Sequence, residues 1–316
     1  MERPLVFIAR KLAIDPVLAL GAGLEVAVHP GEVLSREDLL AGAHPASAIV
    51  SMLSERIDDE LLEAAPRLRI VANHAVGTDN VDVDGCTRRG IWVTNTPDVL
   101  TEATADLTWA LLLAVARRLR EGEALVRSGA FRGWTPTMLL GRELSGATLG
   151  IFGYGRIGRA VARRAEGFGM RVLFTSRTGG VELDELLRVS DVLTLHAPLS
   201  PRTRHVLGAA ELLRMKRGAI LLNTSRGALV DEAALVRALE SGHLGGAGLD
   251  VYEDEPRVHP GLVARDDVVL LPHLGSATQE TRARMAAMAL ADVQRVLRGE
   301  PPAHPVNAVA LIGAGS

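Results

Sequence analysis

Short runs of apolar and β-branched residues alternate with helix-period patterns along almost the whole chain, which predicts parallel sheets assembled from βαβ units. The first block gives strands at Leu5 to Ala9, Leu24 to Val28, Ala48 to Val50, Arg69 to Ala72 and Trp92 to Thr94, with helices such as Asp58 to Ala64 between them, and ends near Pro97. A long apolar-periodic stretch from Thr101 to about Ser128 reads as one helix linking the two halves, its Leu and Ala content serving packing. The second block repeats the alternation at Ala147 to Phe152, Arg171 to Ser176, Val192 to His196, Ala219 to Asn223, Ala247 to Val251 and Val268 to Leu271. A helical run from Gln279 to Arg298 and the tail GEPPAHPVN then return the chain to the first block. The expected domains are therefore residues 1–98 with 284–316, discontinuous, and 99–283. No short-period repeat or low-complexity tract interrupts them.

Composition narrows the class. Of 316 residues, 47% are hydrophobic and 23% charged, and no segment carries the roughly eighteen uncharged apolar residues of a membrane span. The opening MERPLVFIARKL has charges on both sides of a short apolar run, as a first strand does and an export signal does not. The one cysteine, Cys86, has no partner for an intramolecular disulfide, so a reducing, cytoplasmic setting is expected. A net charge of -3 offers no basic footprint for nucleic acid. No metal-ligating set is expected.

The first strand of the second block runs into a glycine turn. Gly153, Gly155 and Gly158 stand in G-x-G-x-x-G spacing immediately after an apolar strand and before an amphipathic helix. The first glycine permits the tight turn, the second lets the backbone approach a pyrophosphate, and the third lets helix and strand pack closely. The helix N-terminus offers free N–H groups to the anion. The expected architecture is thus α/β, with two doubly wound parallel-sheet domains, Rossmann-like or flavodoxin-like, and a cleft between them. The next strand ends Phe174-Thr175-Ser176-Arg177-Thr178, without the carboxylate that usually bonds the ribose hydroxyls of NAD. Ser176, Arg177 and Thr178 can instead donate to a 2'-phosphate, and Arg177 can neutralise it. NADP(H) is favoured, with NAD(H) as the alternative.

Ligands of open α/β sheets collect at the carboxyl ends of the strands. Three segments there carry chemistry: Asn223-Thr224-Ser225-Arg226-Gly227, Asp250 through Pro256, and Pro272-His273-Leu274-Gly275-Ser276. Reduction of a 2-keto acid needs a carboxylate site, a polarised carbonyl and a proton for the developing alkoxide. Arg226 can hold carboxylate and carbonyl oxygens in its planar fork. His273 can give and retake the proton, and Glu255, bonded to the other ring nitrogen, can orient the imidazole and favour its protonated form. Each residue alone suits an ordinary surface or capping role; the reading rests on all three at strand ends.

From about Arg69 to Asn307 the chain resembles the D-isomer-specific 2-hydroxyacid dehydrogenases, and within them the glyoxylate and hydroxypyruvate reductases. The stretches are NHAVGTDNVD at 73–82, VTNTPDVLTEATADLTWALLL at 93–113, LGIFGYGRIGRAVARRAEGFGMRV at 149–172, HAPL at 196–199, LLNTSRGALVDEAALVRAL at 221–239, AGLDVYEDEP at 247–256 and PHLGSAT at 272–278. The resemblance implies Arg226, Glu255 and His273 as the catalytic set. It also implies that the backbone N–H groups of Val76 and Gly77 grip the substrate carboxylate, that Leu53 lines a small pocket, that Asp250 binds the nicotinamide amide and that Thr104 lies near the cofactor phosphates or ribose. Arg156, Ile157, His196, Ala197, Pro198, Thr203, Thr224 and Gly275 complete the implied cofactor set. It further implies a small 2-keto or 2-hydroxy acid as substrate and a homodimer. Other D-2-hydroxyacid dehydrogenases, such as the phosphoglycerate type, phosphite dehydrogenases and dinucleotide-sensing corepressors share the resemblance. Formate dehydrogenases carry glutamine where Glu255 stands.

Overall fold

In the computed structural model, which describes residues 3–309, the first alternating block becomes a five-stranded parallel sheet. Its strands are β1 (Leu5–Ile8), β2 (Glu25–Val28), β3 (Ala48–Ser51), β4 (Ile70–Asn73) and β5 (Trp92–Thr94), in the order β2-β1-β3-β4-β5. That is a flavodoxin-like order. Every residue of β3 and β4 is buried, because a parallel sheet covered on both faces needs unbroken apolar runs. One face packs Phe7, Ile49, Val71 and Val93 against Leu39 and Leu61. The other packs Val6, Ile8, Val50 and Ile70 against Ala286, Leu290 and Val293 of the helix Gln279–Leu297.

Asp292 of that helix is fully buried and accepts hydrogen bonds from Ala303 N (2.6 Å) and His304 Nδ1 (3.0 Å). The tail is thereby laid along β5, where Val306 N donates to Val93 O and Val93 N donates to the Asn307 side chain. Removing the carboxylate strands both donors, so Asp292→Ala should lower unfolding stability by about 2–3 kcal/mol. A urea midpoint unchanged from the parent would contradict that role.

The second block forms a seven-stranded sheet from β6 (Thr148–Phe152), β7 (Arg171–Ser176), β8 (Gly179–Gly180), β9 (Val192–Leu195), β10 (Ile220–Asn223), β11 (Gly246–Leu249) and β12 (Val268–Leu270). The order is β12-β11-β10-β9-β6-β7-β8. All neighbours run parallel except β8, a two-residue antiparallel return on β7 that the sequence reading did not anticipate. The order reverses between β6 and β9, which makes their carboxyl ends the topological switch point.

Contacts divide the chain into two compact units, Met1–Leu100 with Ala277–Ser316, and Thr101–Ser276. The sequence reading set these edges at 98/99 and 283/284. The later edge moves because the helix Gln279–Leu297 buries residues from Thr281 to Val296 along its whole length in the first unit. Met1, Glu2 and 310–316 of the expected first domain lie outside the described residues.

The single helix expected from Thr101 to Ser128 is two, Thr101–Ala116 and Leu119–Arg127. Arg118 takes a left-handed conformation (φ 53°, ψ 41°), and the Ala116 carbonyl accepts from Arg142 N at 2.7 Å instead of from a continuing turn. The first helix buries Leu111, Leu112 and Val115, whereas the second buries nothing, so apolar packing no longer holds one axis. Among the described residues no helix is long and apolar enough to cross a membrane.

Candidate active site

The turn after β6 is built as its glycine spacing requires. Gly153 has φ +95°, and a Cβ there would lie 2.6 Å from the carbonyl carbon of His196 and 2.7 Å from Ala197 N. The exit of β9 thus excludes any side chain at 153. A Cβ on Gly158 would lie 2.3 Å from Gly153 O, so the helix Arg156–Gly167 seats directly on the turn. Gly155 differs: no protein atom lies within 4 Å of its would-be Cβ. Nothing inside the fold demands a glycine at 155, and the open space over an uncapped helix N-terminus fits a pyrophosphate. Arg156 is exposed and Ile157 packs on the apolar core beneath.

At the end of β7, Ser176 Oγ donates to Gly179 O at 3.0 Å and accepts from Thr178 N at 3.3 Å, closing a short turn. Arg177 and Thr178 are exposed on it, and no acid stands between 174 and 181. At the end of β9, His196 Nε2 lies 2.9 Å from Thr194 Oγ1, while its Nδ1 is enclosed and has no partner among the described residues. Burial pushes this imidazole down to about 3, so it is neutral. Ala197 O accepts from Ser225 Oγ at 2.5 Å, and Pro198 O accepts from Thr203 Oγ1 at 2.8 Å, which fixes the path of this loop.

Three strand exits then bring charged groups together. After β10, Asn223 Nδ2 donates to Arg226 O at 2.8 Å and Asn223 Oδ1 accepts from Ser225 N at 3.1 Å. A Cβ on Gly227 would lie 1.8 Å from the Tyr252 carbonyl carbon, so only glycine lets this loop press onto the one after β11. Glu255 receives Tyr252 N on Oε1 at 3.1 Å and the His273 Nδ1 on Oε2 at 3.0 Å. Burial raises the Glu255 carboxyl, but the His273 bond and charge, the Tyr252 N–H and the Arg226 charge together hold it below the usual range. It is a carboxylate at neutral pH.

His273 itself has φ +56°, unusual for a side-chain-bearing residue. The conformation is held by His273 N donating to Asp250 O at 2.9 Å, and by Asp250 Oδ1 and Oδ2 accepting from Leu274 N (2.6 Å) and Gly275 N (2.8 Å). With Nδ1 committed to Glu255, His273 Nε2 makes no hydrogen bond to another described residue. Asp250 is fully buried, and that burial pushes its carboxyl up although the two N–H groups and the His273 charge pull the other way. Burial pushes the Tyr252 phenol up to about 12, and its hydroxyl donates to Leu271 O at 2.8 Å, so it stays protonated and structural.

Thr104 and Thr224 are buried. Thr104 Oγ1 donates to Gly275 O at 3.1 Å, and Thr224 Oγ1 meets Thr108 Oγ1 at 2.9 Å. Their hydroxyls tie the helix Thr101–Ala116 to the exits of β10 and β12. Thr108 and the packing of Gly227 were not found from sequence; Thr108 lies in an apolar helical run, and only the fold shows its contact. Leu53, Val76 and Gly77 belong to the other unit, at the exits of β3 and β4. There Asn95 Nδ2 donates to Val76 O (2.7 Å) and Asn73 Nδ2 to Gly77 O (2.8 Å). The N–H groups of Val76 and Gly77 have no acceptor among the described residues. Among the same residues no cluster of three His, Cys, Asp or Glu could hold a metal.

Residues 109–275 match the family described as D-isomer specific 2-hydroxyacid dehydrogenase, NAD binding domain. The glyoxylate reductase of Thermococcus onnurineus is 48% identical over 321 aligned residues, covering 96% of each chain. A crystal structure of a Thermus thermophilus protein superposes with a TM-score of 0.91 at 48% identity, covering 96% of this chain and 100% of that one. The NADPH-dependent glyoxylate/hydroxypyruvate reductase of Sinorhizobium meliloti, solved with NADP and malonate, gives a TM-score of 0.84 at 35% identity, covering 96% of this chain and 97% of that one.

Proposed function

The chain belongs to the D-isomer specific 2-hydroxyacid dehydrogenases, and from that membership we propose that it reduces glyoxylate or hydroxypyruvate to the 2-hydroxy acid with NADPH as hydride source. It is an NAD(P)-dependent oxidoreductase. The observation that carries the reading is the His273–Glu255 bond of 3.0 Å beside the charge of Arg226, all at strand exits of one sheet.

Bound in the glycine turn, a nicotinamide dinucleotide supplies the hydride. The protein supplies the rest. Arg226 holds the substrate carboxylate and carbonyl oxygens, which orients the carbonyl carbon and draws charge onto its oxygen. His273 Nε2 delivers the proton to that oxygen as charge builds, while Glu255 fixes the ring through Nδ1. Within the first unit, the Val76 and Gly77 backbone N–H groups suit a carboxylate, and Leu53 stands on the neighbouring turn. Asp250 fixes the loop that carries His273 and presents an acceptor for an amide. The supporting test is an initial-rate panel of glyoxylate, hydroxypyruvate, pyruvate and 3-phosphohydroxypyruvate, each with NADH and NADPH. Preference for pyruvate or the phosphorylated acid would overturn the substrate.

The NADPH preference rests on Arg177 and Thr178 at the end of β7, on the turn that the Ser176 hydroxyl closes. Arg177 makes no hydrogen bond or ion pair to another described residue, so its guanidinium is available to a 2'-phosphate. Arg177→Ala should raise KM for NADPH about tenfold and leave KM for NADH within about twofold. Equal changes with both coenzymes would refute the assignment. A homodimer is supported by the apolar side chains left exposed in the chain segment between the helix Leu119–Arg127 and β6, with Trp134 at 78%, Leu140 at 65% and Phe131 at 47% exposure. Cys86 is buried, with its thiol pushed up to about 12, which suits a cytoplasmic protein that has no use for a reactive cysteine.

A further inference from the structure

A buried polar cluster in the first unit lies directly under the two loops that the proposed function gives to the substrate. Ser51 and Asn73, the last residues of β3 and β4, are bonded to each other, Ser51 Oγ donating to Asn73 Oδ1 at 3.0 Å. Asn73 Nδ2 continues to Gly77 O at 2.8 Å. Asn80 closes the second side: its Nδ2 lies 2.9 Å from both Met52 O and Glu55 O, and 3.3 Å from Asn73 Oδ1. The turn between Met52 and Glu55, which carries Leu53, is cinched from below. Glu55 is 4% exposed, and its carboxylate accepts from Met52 N (2.7 Å), Ser54 Oγ (2.7 Å) and Arg10 Nη2 (3.0 Å).

Neighbouring strand exits need no such network to pair, and a buried carboxylate is costly unless fully bonded. What the network does fix is the position of Leu53 relative to the Val76 and Gly77 N–H groups, since both loops hang from the same two asparagines. We propose that Asn80 and Glu55 are positioning residues that hold the Leu53 turn and the Val76–Gly77 N–H groups at a set distance, and so determine affinity for a short 2-keto carboxylate. This rests on the reading that those loops receive the substrate. Neither residue touches the reacting atoms.

The test uses the intact enzyme, with glyoxylate turnover and oxalate as a non-reacting carboxylate probe. Asn80→Asp keeps the size of the side chain but turns its donors into acceptors facing two carbonyls, and Glu55→Gln removes the charge that holds Arg10. Each should raise KM for glyoxylate and the inhibition constant of oxalate about tenfold, with kcat within about threefold and KM for NADPH unchanged. Arg10→Ala, at the exposed rim of the cluster, should move KM the same way by about threefold, and Arg10→Lys should restore it, so a poorly folding core variant does not shelter the idea. A fall in kcat at constant KM, or a parallel change in NADPH affinity, would overturn it. Gly77→Pro, which deletes one N–H, separates the two readings: unchanged oxalate binding there refutes the substrate assignment itself. Weakened oxalate binding in Gly77→Pro with none in Asn80→Asp or Glu55→Gln refutes only the positioning role.

Discussion

His273→Gln should lower kcat for glyoxylate reduction by about 10²–10⁴-fold while KM changes much less. Glutamine can keep a hydrogen bond to Glu255 but has no proton to give at neutral pH, so the loss falls on the chemical step and not on binding. The geometry gives the imidazole a single task, because Nδ1 is committed to Glu255 at 3.0 Å. The hydrogen bond and charge of the ring help hold the Glu255 carboxyl down. The depressed carboxyl also has a sign for stability. Its contribution is present above the pKa of an unfolded glutamate and is lost as pH falls through the lower folded value. Single-turnover rates would check the kinetic effect and urea midpoints across pH the stability effect, and a His273→Gln enzyme retaining more than about a tenth of the parental rate would refute the proton-donor role.

The sheets were readable because parallel strands buried on both faces, such as β3, β4, β9 and β10, leave continuous apolar runs that end within a residue or two of the strand exits. Strand β8 was not, since Gly179 and Gly180 have no side chains to carry a pattern. The break at Arg118 was also silent: an arginine at positive φ carries no compositional signal, and the bond from Arg142 N to Ala116 O that rewards it is remote in sequence. Spacing gave the roles of Gly153 and Gly158, and the structure separates from them Gly155, whose glycine has no internal reason. The placement of Arg226, Glu255 and His273 was legible because each follows an apolar run at a strand exit. What stayed hidden is what positions them. Gly227, Asp250 and Thr108 act through backbone carbonyls, N–H groups and one hydroxyl contact, and in the first unit Asn73, Asn80 and Glu55 read as ordinary loop residues until the fold ties them together.

Arg226→Ala should reduce kcat/KM for glyoxylate by about 10²–10⁴-fold, and Arg226→Lys should recover only a small part of that loss. The argument turns on shape more than on charge. A planar fork can meet a carboxylate oxygen and the neighbouring carbonyl oxygen at once and fix their plane, whereas an ammonium supplies a similar charge with no fixed direction. The backbone around the residue should survive either change. Arg226 O is held by Asn223 Nδ2 at 2.8 Å, and Gly227 is packed on the Tyr252 carbonyl, both independently of the side chain. Urea midpoints would separate a loss of chemistry from a loss of fold, and added guanidinium at concentrations below denaturing should restore part of the activity to Arg226→Ala but not to Arg226→Lys, whose side chain still fills the space. Removing this charge also removes one of the groups that hold the Glu255 carboxyl down, so the acid limb of the Arg226→Ala profile should shift to higher pH. An alanine variant with parental kcat/KM, or a lysine variant as active as the parent, would mean that the substrate carboxylate is bound elsewhere.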